Sequence, residues 1–253
     1  MAAAETHTRC LQLDVGNSSA KWRLVDAIKA GKVVARGRFV PGDTASEAQF
    51  IGSVAKLSHI WIASVASAER DAALGKWLRE SFQVEPWFAA SEAATGELVN
   101  SYAEPERMGV DRWLAMLGAR ARSTGSLCVV DAGSALTIDV VAATGIHTGG
   151  YIIPGPSLME RALLLDTDRV RFEQDVDYAL TPGRSTAEAV RHGIALAQVG
   201  AVERVLRQLG DSATSVFVTG GAGEQLLCLG NFKAELVPDL VLDGLAEMAS
   251  LKR

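Results

Sequence analysis

Two short stretches of this chain carry a carboxylate two residues ahead of a glycine: Asp14-Val15-Gly16-Asn17-Ser18 and Asp131-Ala132-Gly133-Ser134. Each follows an apolar run that reads as a strand. A strand ending in Asp-x-Gly and entering a turn of Gly, Asn and Ser offers successive backbone N–H groups and hydroxyls to an anion. Its carboxylate stays available for a cation. One copy alone would read as an ordinary hairpin turn. Two copies in matching strand contexts point instead to a pair of phosphate-binding hairpins. Written together, LQLDVGNSSAKWRLV and CVVDAGSALTIDVVA align Asp14 with Asp131 and Gly16 with Gly133. Both pairs lie at an offset of 117 residues (131 − 14 and 133 − 16), close to half of the 253-residue chain.

The elements that would position these hairpins repeat as well. Strands are expected at Cys10 to Val15, Lys21 to Val25 and Lys32 to Val40. A helical run at Thr44 to Leu57, a strand at Ser58 to Val65 and a helix at Ala68 to Phe82 follow. A polar stretch from Glu92 to Arg107 leads into a helix over Asp111 to Arg122. The second half opens with strands at Leu127 to Asp131, Thr137 to Val141 and Ile146 to Ile153. It continues with a long helix from Ser185 to Leu209, a strand at Ser215 to Val218 and a last helix at Leu240 to Leu251. Each half is thus a β-meander followed by α/β units. A repeat this long is two domains rather than a solenoid, placed here at 1–116 and 117–253, with the final helix able to fold back onto the first. Ligands favour the cleft between such halves.

Composition narrows the chemistry. With 48% hydrophobic and 22% charged residues the chain is an ordinary folded protein, long enough for roughly one and a half to two domains. Lys and Arg number 25 against 30 Asp and Glu, a net −5 without a basic run, which argues against a nucleic-acid footprint. The longest uncharged run, Val140 to Met159, contains four glycines and two prolines and cannot be a membrane span. The N-terminal residues lack a basic secretory leader, so the cytoplasm is the expected compartment. Cys10, Cys128 and Cys228 are far apart and read as reduced thiols. His7, His59, His147 and His192 make no zinc spacing. No GxxxxGK[ST] is present, and Gly220 to Gly223 lacks the third glycine of a dinucleotide fingerprint. The strand ending in Thr219-Gly220-Gly221 would let an adenine lie on backbone, or is simply a strand-to-helix turn.

Hairpins and glycine pair together resemble the acetate and sugar kinase, heat-shock ATPase and actin superfamily. The resemblance implies two ribonuclease H-like α/β domains facing across a nucleotide cleft. Gly109-Val110-Asp111-Arg112 and Gly149-Gly150-Tyr151-Ile152-Ile153-Pro154-Gly155, in order with the two hairpins, narrow it further. In this order and spacing the set resembles the type III pantothenate kinases, a family that includes proteins named Bvg accessory factors, over about Leu11 to Gly221. The resemblance implies ATP-dependent phosphorylation of pantothenate, the first step toward coenzyme A, by a homodimer.

Asp111, just inside a helix N-terminus, is either a cap or, as the resemblance implies, the base that accepts the hydroxyl proton. The same match gives Gly109, Val110, Asp111 and Arg112 to the pantothenate. It gives Asp14, Val15, Gly16, Asn17, Ser18, Ser19, Ala20 and Lys21, with Ser134, to ATP and its magnesium. Asp131 is matched to a monovalent cation, potassium or ammonium, with magnesium as the alternative. Tyr102 and Thr186 match pantothenate contacts; on their own they read as a loop aromatic and a helix cap. Ser18 and Ser134 replace the commoner Thr, and Leu136 stands where a further Thr is frequent. Rival readings are a kinase or ATPase with another acceptor, and an accessory protein in transcriptional regulation.

Overall fold

The protein is described by a computed structural model over residues 9–26, 31–54, 56–166, 170–172, 174–210 and 214–252. Two five-stranded sheets carry it, and both are wound the same way. The first is built from β1 (Arg9–Val15), β2 (Ala20–Asp26), β3 (Lys32–Phe39), β4 (Leu57–Ser64) and β5 (Pro86–Phe88), in the order β3-β2-β1-β4-β5. β1 to β3 form the antiparallel meander, while β4 runs parallel to β1 and β5 parallel to β4. A two-stranded ribbon, β6 (Ala94–Thr95) with β7 (Leu98–Val99), follows. The second sheet is built from β8 (Ser126–Ala132), β9 (Ala135–Val141), β10 (His147–Pro154), β11 (Thr214–Thr219) and β12 (Glu235–Leu236), in the order β10-β9-β8-β11-β12. Its meander and its parallel strands repeat those of the first sheet. The duplicated meander expected from the sequence is therefore present.

Helices return the chain between parallel strands, as parallel pairing requires. α1 (Thr44–Ser53) and α2 (Ala68–Phe82) serve the first sheet; α3 (Val110–Arg120) follows the ribbon. α4 (Pro156–Asp166), α5 (Thr186–Leu209) and α6 (Gly223–Leu229) serve the second, and α7 (Leu240–Leu251) ends the chain. Local chemistry sets their starts. Asp43 accepts from the Ser46 amide at 2.7 Å, Ser67 from Arg70 at 3.4 Å, and Ser185 from Glu188 at 3.2 Å. The run expected to be helical to Leu57 stops at Ser53, because Val54 is extended and Lys56 is left-handed with φ 52°. α4, which opens with Pro156 at its first helical position, is a helix that the elements expected from the sequence do not include.

The chain divides into two compact units. Unit 1 comprises the chain up to Thr95, Ala103–Gly118 and the chain from Val241; unit 2 comprises Gly96–Tyr102 and Ala119–Leu240. Unit 1 has an aromatic core: Phe50 stacks on Phe39 at 4.3 Å and meets Trp22 edge-on at 5.4 Å, beneath Leu11, Leu13 and Ile60. Burying one such ring contributes roughly 1.5–3 kcal/mol relative to leaving it exposed. Unit 2 has an aliphatic core of Cys128, Val130, Leu136 and Ile138 against Val199 and Val202 of α5. Among the described residues, no helix is long and apolar enough to cross a membrane.

Candidate active site

In unit 1 the hairpin between β1 and β2 pairs Asp14 with Lys21 and Val15 with Ala20, leaving residues 16–19 as the turn. The Gly16 amide donates to the Ser19 carbonyl at 3.1 Å, and Asn17 and Ser18 are exposed. The Arg70 guanidinium donates to the Asn17 carbonyl at 3.0 Å, which ties the tip of the turn to α2. This is an open loop of polar backbone on a rigid strand pair, suited to wrap an anion. Its charge is mixed: carboxylate and ammonium sit opposite each other on the same face.

In unit 2 the hairpin between β8 and β9 pairs Asp131 with Thr137 and Ala132 with Leu136, leaving three residues, 133–135. The Gly133 amide donates to the Ala135 carbonyl at 3.0 Å. Two other glycines clamp this turn. Gly155, where β10 enters α4, donates its amide to the Ser134 carbonyl at 3.0 Å, and a Cβ there would lie 2.5 Å from the Gly133 oxygen. Gly220, with φ +89°, would place a Cβ 2.4 Å from Asp131 Oδ1 and 2.5 Å from the Ala132 carbonyl. Only glycine fits there. The Ala222 amide donates to the Ala132 carbonyl at 2.9 Å, so the glycine pair is indeed a strand-to-helix turn, from β11 into α6. Beside Ala132 lies a mostly apolar pocket between α5 and α6, lined by Ile194, Gln198, Ala222, Gln225 and Leu226. Sequence patterning did not reveal it, because its walls come from two separate helices. Leu136 is fully buried in the core, so the position contributes no hydroxyl at the hairpin surface.

Asp111 is the second residue of α3, half-buried, and its Oδ1 accepts from the Arg112 amide at 2.7 Å. The carboxylate thus meets one of the open amides of the first turn from inside the helix. Gly109 makes this side-chain position available: a Cβ there would stand 2.6 Å from Asp111 Oδ1. The helix start is itself held. Ser91 donates its hydroxyl to the Met108 carbonyl at 2.9 Å, and the Trp113 amide donates to the Gly109 carbonyl at 3.2 Å. The fully buried Trp113 donates from its indole to Thr95 at 3.3 Å, Thr95 to Glu92 at 2.8 Å, and Lys252 to the same carboxylate at 2.5 Å. Burial alone would raise the Glu92 carboxyl, yet the bonds from Lys252 and Thr95 hold it below its usual range. Arg112, next to Asp111 in the chain, is buried.

Tyr102 closes the Gly96–Tyr102 segment of unit 2, its amide donating to Asn100 Oδ1 at 2.9 Å. Thr186 is the first residue of α5 and exposed, but the cap is Ser185, with Glu188 reaching back to the Arg184 amide at 2.6 Å. The helix-cap reading of Thr186 is therefore corrected. Its neighbours are Arg171, Phe172 and Gln174, around an open depression. Residues 14–21 and 109–112 thus belong to unit 1, and Tyr102, Asp131, Ser134 and Thr186 to unit 2. Among the described residues no three His, Cys, Asp or Glu side chains gather as a metal set.

Known proteins resemble the chain over this whole framework. A Marinobacter nauticus protein named Type III pantothenate kinase is 38% identical over 241 residues, 95% of this chain and 98% of its own length. Among solved structures, a Sinorhizobium meliloti protein described as a 2-dehydro-3-deoxygalactonokinase matches with a TM-score of 0.60 at 14% identity, over 95% of this chain and 98% of the other. A Campylobacter jejuni protein described as a Baf family transcriptional activator matches with a TM-score of 0.58 at 22% identity, over 96% and 98%. The fold is the two-domain α/β fold of the acetate and sugar kinase, heat-shock ATPase and actin superfamily. Residues 10–208 match the family described as Type III pantothenate kinase, and to that family this chain belongs.

Proposed function

We propose that this protein transfers the γ-phosphoryl group of ATP to the primary hydroxyl of pantothenate, giving 4′-phosphopantothenate in the first step of coenzyme A biosynthesis. Family membership carries the reading. In it, the Asp111 carboxylate accepts the hydroxyl proton as the oxygen forms its bond to the γ-phosphorus and the bond to ADP breaks. Its place in the first turn of α3 supports this role, since the helix dipole favours the ionised form at neutral pH. Gly109, Val110 and Arg112 line the pantothenate beside it, and Tyr102 and Thr186 contact the same substrate.

Residues 14–21 hold the phosphates of ATP, with backbone amides and the hydroxyls of Ser18 and Ser19 as donors and Lys21 as countercharge; Ser134 adds a hydroxyl. The pocket between α5 and α6 takes the adenine. Its apolar walls and the Gln198 and Gln225 amides have the mixture such a ring needs. Asp131 holds a monovalent cation, potassium or ammonium. The oxygen donors of a hairpin fit such a hard ion, and Gly220 keeps side-chain bulk away from the carboxylate. Magnesium bound with ATP supplies charge neutralisation on the phosphates.

The working unit is a homodimer, supported by Tyr151, Ile152, Leu165 and Leu196, all half or more exposed on β10, α4 and α5. The compartment is the cytoplasm, which suits three cysteines outside any disulfide. The test is ADP formation by the purified protein with magnesium, with and without pantothenate. Turnover that requires pantothenate is the expected result; ATP loss indifferent to it would make the protein a hydrolase.

A further inference from the structure

A buried histidine–aspartate pair in unit 2 has no part in the reaction as derived. His147 is fully buried and Asp139 is 1% exposed, with His147 Nε2 3.1 Å from Asp139 Oδ1. The other ring nitrogen, Nδ1, lies 2.8 Å from the hydroxyl of Ser101. One imidazole thus bridges the Asp139 carboxylate and the Ser101 hydroxyl through its two ring nitrogens. A one-residue irregularity brings the pair together. Between His147 and Gly149 the β9–β10 register shifts, so that His147 stands opposite Val141 and Gly149 opposite Val140. Without the shift His147 would point to the other face of the sheet, away from Asp139, which is two residues from Val141.

The hydroxyl that this pair holds belongs to the segment that ends in Tyr102. That segment is fastened at alternate residues: Arg120 binds Glu97 at 3.2 Å, the Val99 amide donates to the Gly145 carbonyl at 3.0 Å, and Ser101 meets His147. The Tyr102 ring lies 6.3 Å from the His147 ring. Asp139 stands opposite Val129, two residues before Asp131 on β8, so the fastening is rooted in the strand pair that carries the Asp131 hairpin. We propose that Asp139 and His147 are positioning residues which, through Ser101, fix the Tyr102 segment for the pantothenate side of the site. The inference rests on the reading of Tyr102 as a pantothenate contact.

Ser101 is exposed and can be altered without opening the core. In Ser101→Ala the KM for pantothenate rises about tenfold, the worth of one hydrogen bond, while kcat and the KM for ATP stay within about twofold. Ser101→Thr restores the wild-type KM. In parallel, amide hydrogen exchange over residues 98–103 becomes faster in Ser101→Ala than in the wild type. Unchanged exchange, or faster exchange with an unchanged pantothenate KM, would overturn the proposal. So would covalent capture of Ser101 by a fluorophosphonate, which would make the trio a nucleophilic site. If the wild-type protein turns over no pantothenate, the proposed function fails, and the exchange comparison still decides whether the pair holds the segment.

Discussion

The two Asp-x-Gly hairpins descend from one pattern and differ by one residue. Asp14 faces Lys21 across β1 and β2, while Asp131 faces Thr137 across β8 and β9, so the offset of 117 before the turn becomes 116 after it. The extra residue gives unit 1 a four-residue turn with an exposed tip; unit 2 keeps a three-residue turn pressed between Gly155 and Gly220. The charges opposite the carboxylates differ in the same sense, an ammonium in unit 1 and a neutral hydroxyl in unit 2. An open turn with a cation beside it suits phosphate. A tight, clamped turn whose carboxylate stands opposite a hydroxyl rather than an ammonium suits a cation. The divergence extends deeper along the same strands. Gln12 faces Arg23, which is bonded at 2.6 Å to Gln12 and at 2.6 Å to Asp243 of α7; at the matching place Val129 faces Asp139, which pairs with His147. Duplication preserved the sheet and exchanged the polar partners.

The proposed base belongs to unit 1 alone, so the largest effect is expected there. Asp111→Asn lowers kcat about 10²–10⁴-fold while leaving ATP binding by calorimetry near the wild-type value. Equal losses of turnover and of ATP binding would return Asp111 to a purely capping role. The clamp on the second hairpin comes next. Gly220→Ala forces a side chain into the left-handed region against backbone and costs about 2–5 kcal/mol, read as a lower urea midpoint. Gly16→Ala, whose Cβ would meet only the Ser19 oxygen at 3.5 Å, changes stability by about 0.5 kcal/mol or less. If the two variants unfold alike, the hairpins are not differently built. Deleting Ser18 gives the first turn the length of the second. Losing one charge-assisted contact raises the KM for ATP about 10- to 100-fold with little change in kcat.

The duplicated sheets were legible because strand periodicity and the Asp-x-Gly spacing survive in both halves. α2 falls on the residues expected, since Ser67 caps it and its apolar face is regular. The one-residue difference past the turn was not legible. An ungapped alignment sets Lys21 against Ile138, and only the pairing of each hairpin shows that Lys21 answers to Thr137. α4 was hidden by the glycines and prolines before it, although Pro156 is itself a helix-start signal. β5 has three residues, too few for a period to register. Of the candidate site, Asp14, Asp111 and Asp131 stood out by motif. The pocket between α5 and α6 and the Asp139–His147 pair did not, because tertiary folding or a bulge, rather than spacing, assembles them.

The division of labour between the hairpins is tested most directly by pantothenate-dependent turnover in potassium and in sodium, for the wild type, Asp14→Asn and Asp131→Asn. The account predicts that the wild type is faster in potassium. Asp131→Asn would lose that preference while keeping its KM for ATP, and Asp14→Asn would raise the KM for ATP while keeping the preference. A potassium preference that survives in Asp131→Asn, or disappears in Asp14→Asn instead, would contradict it.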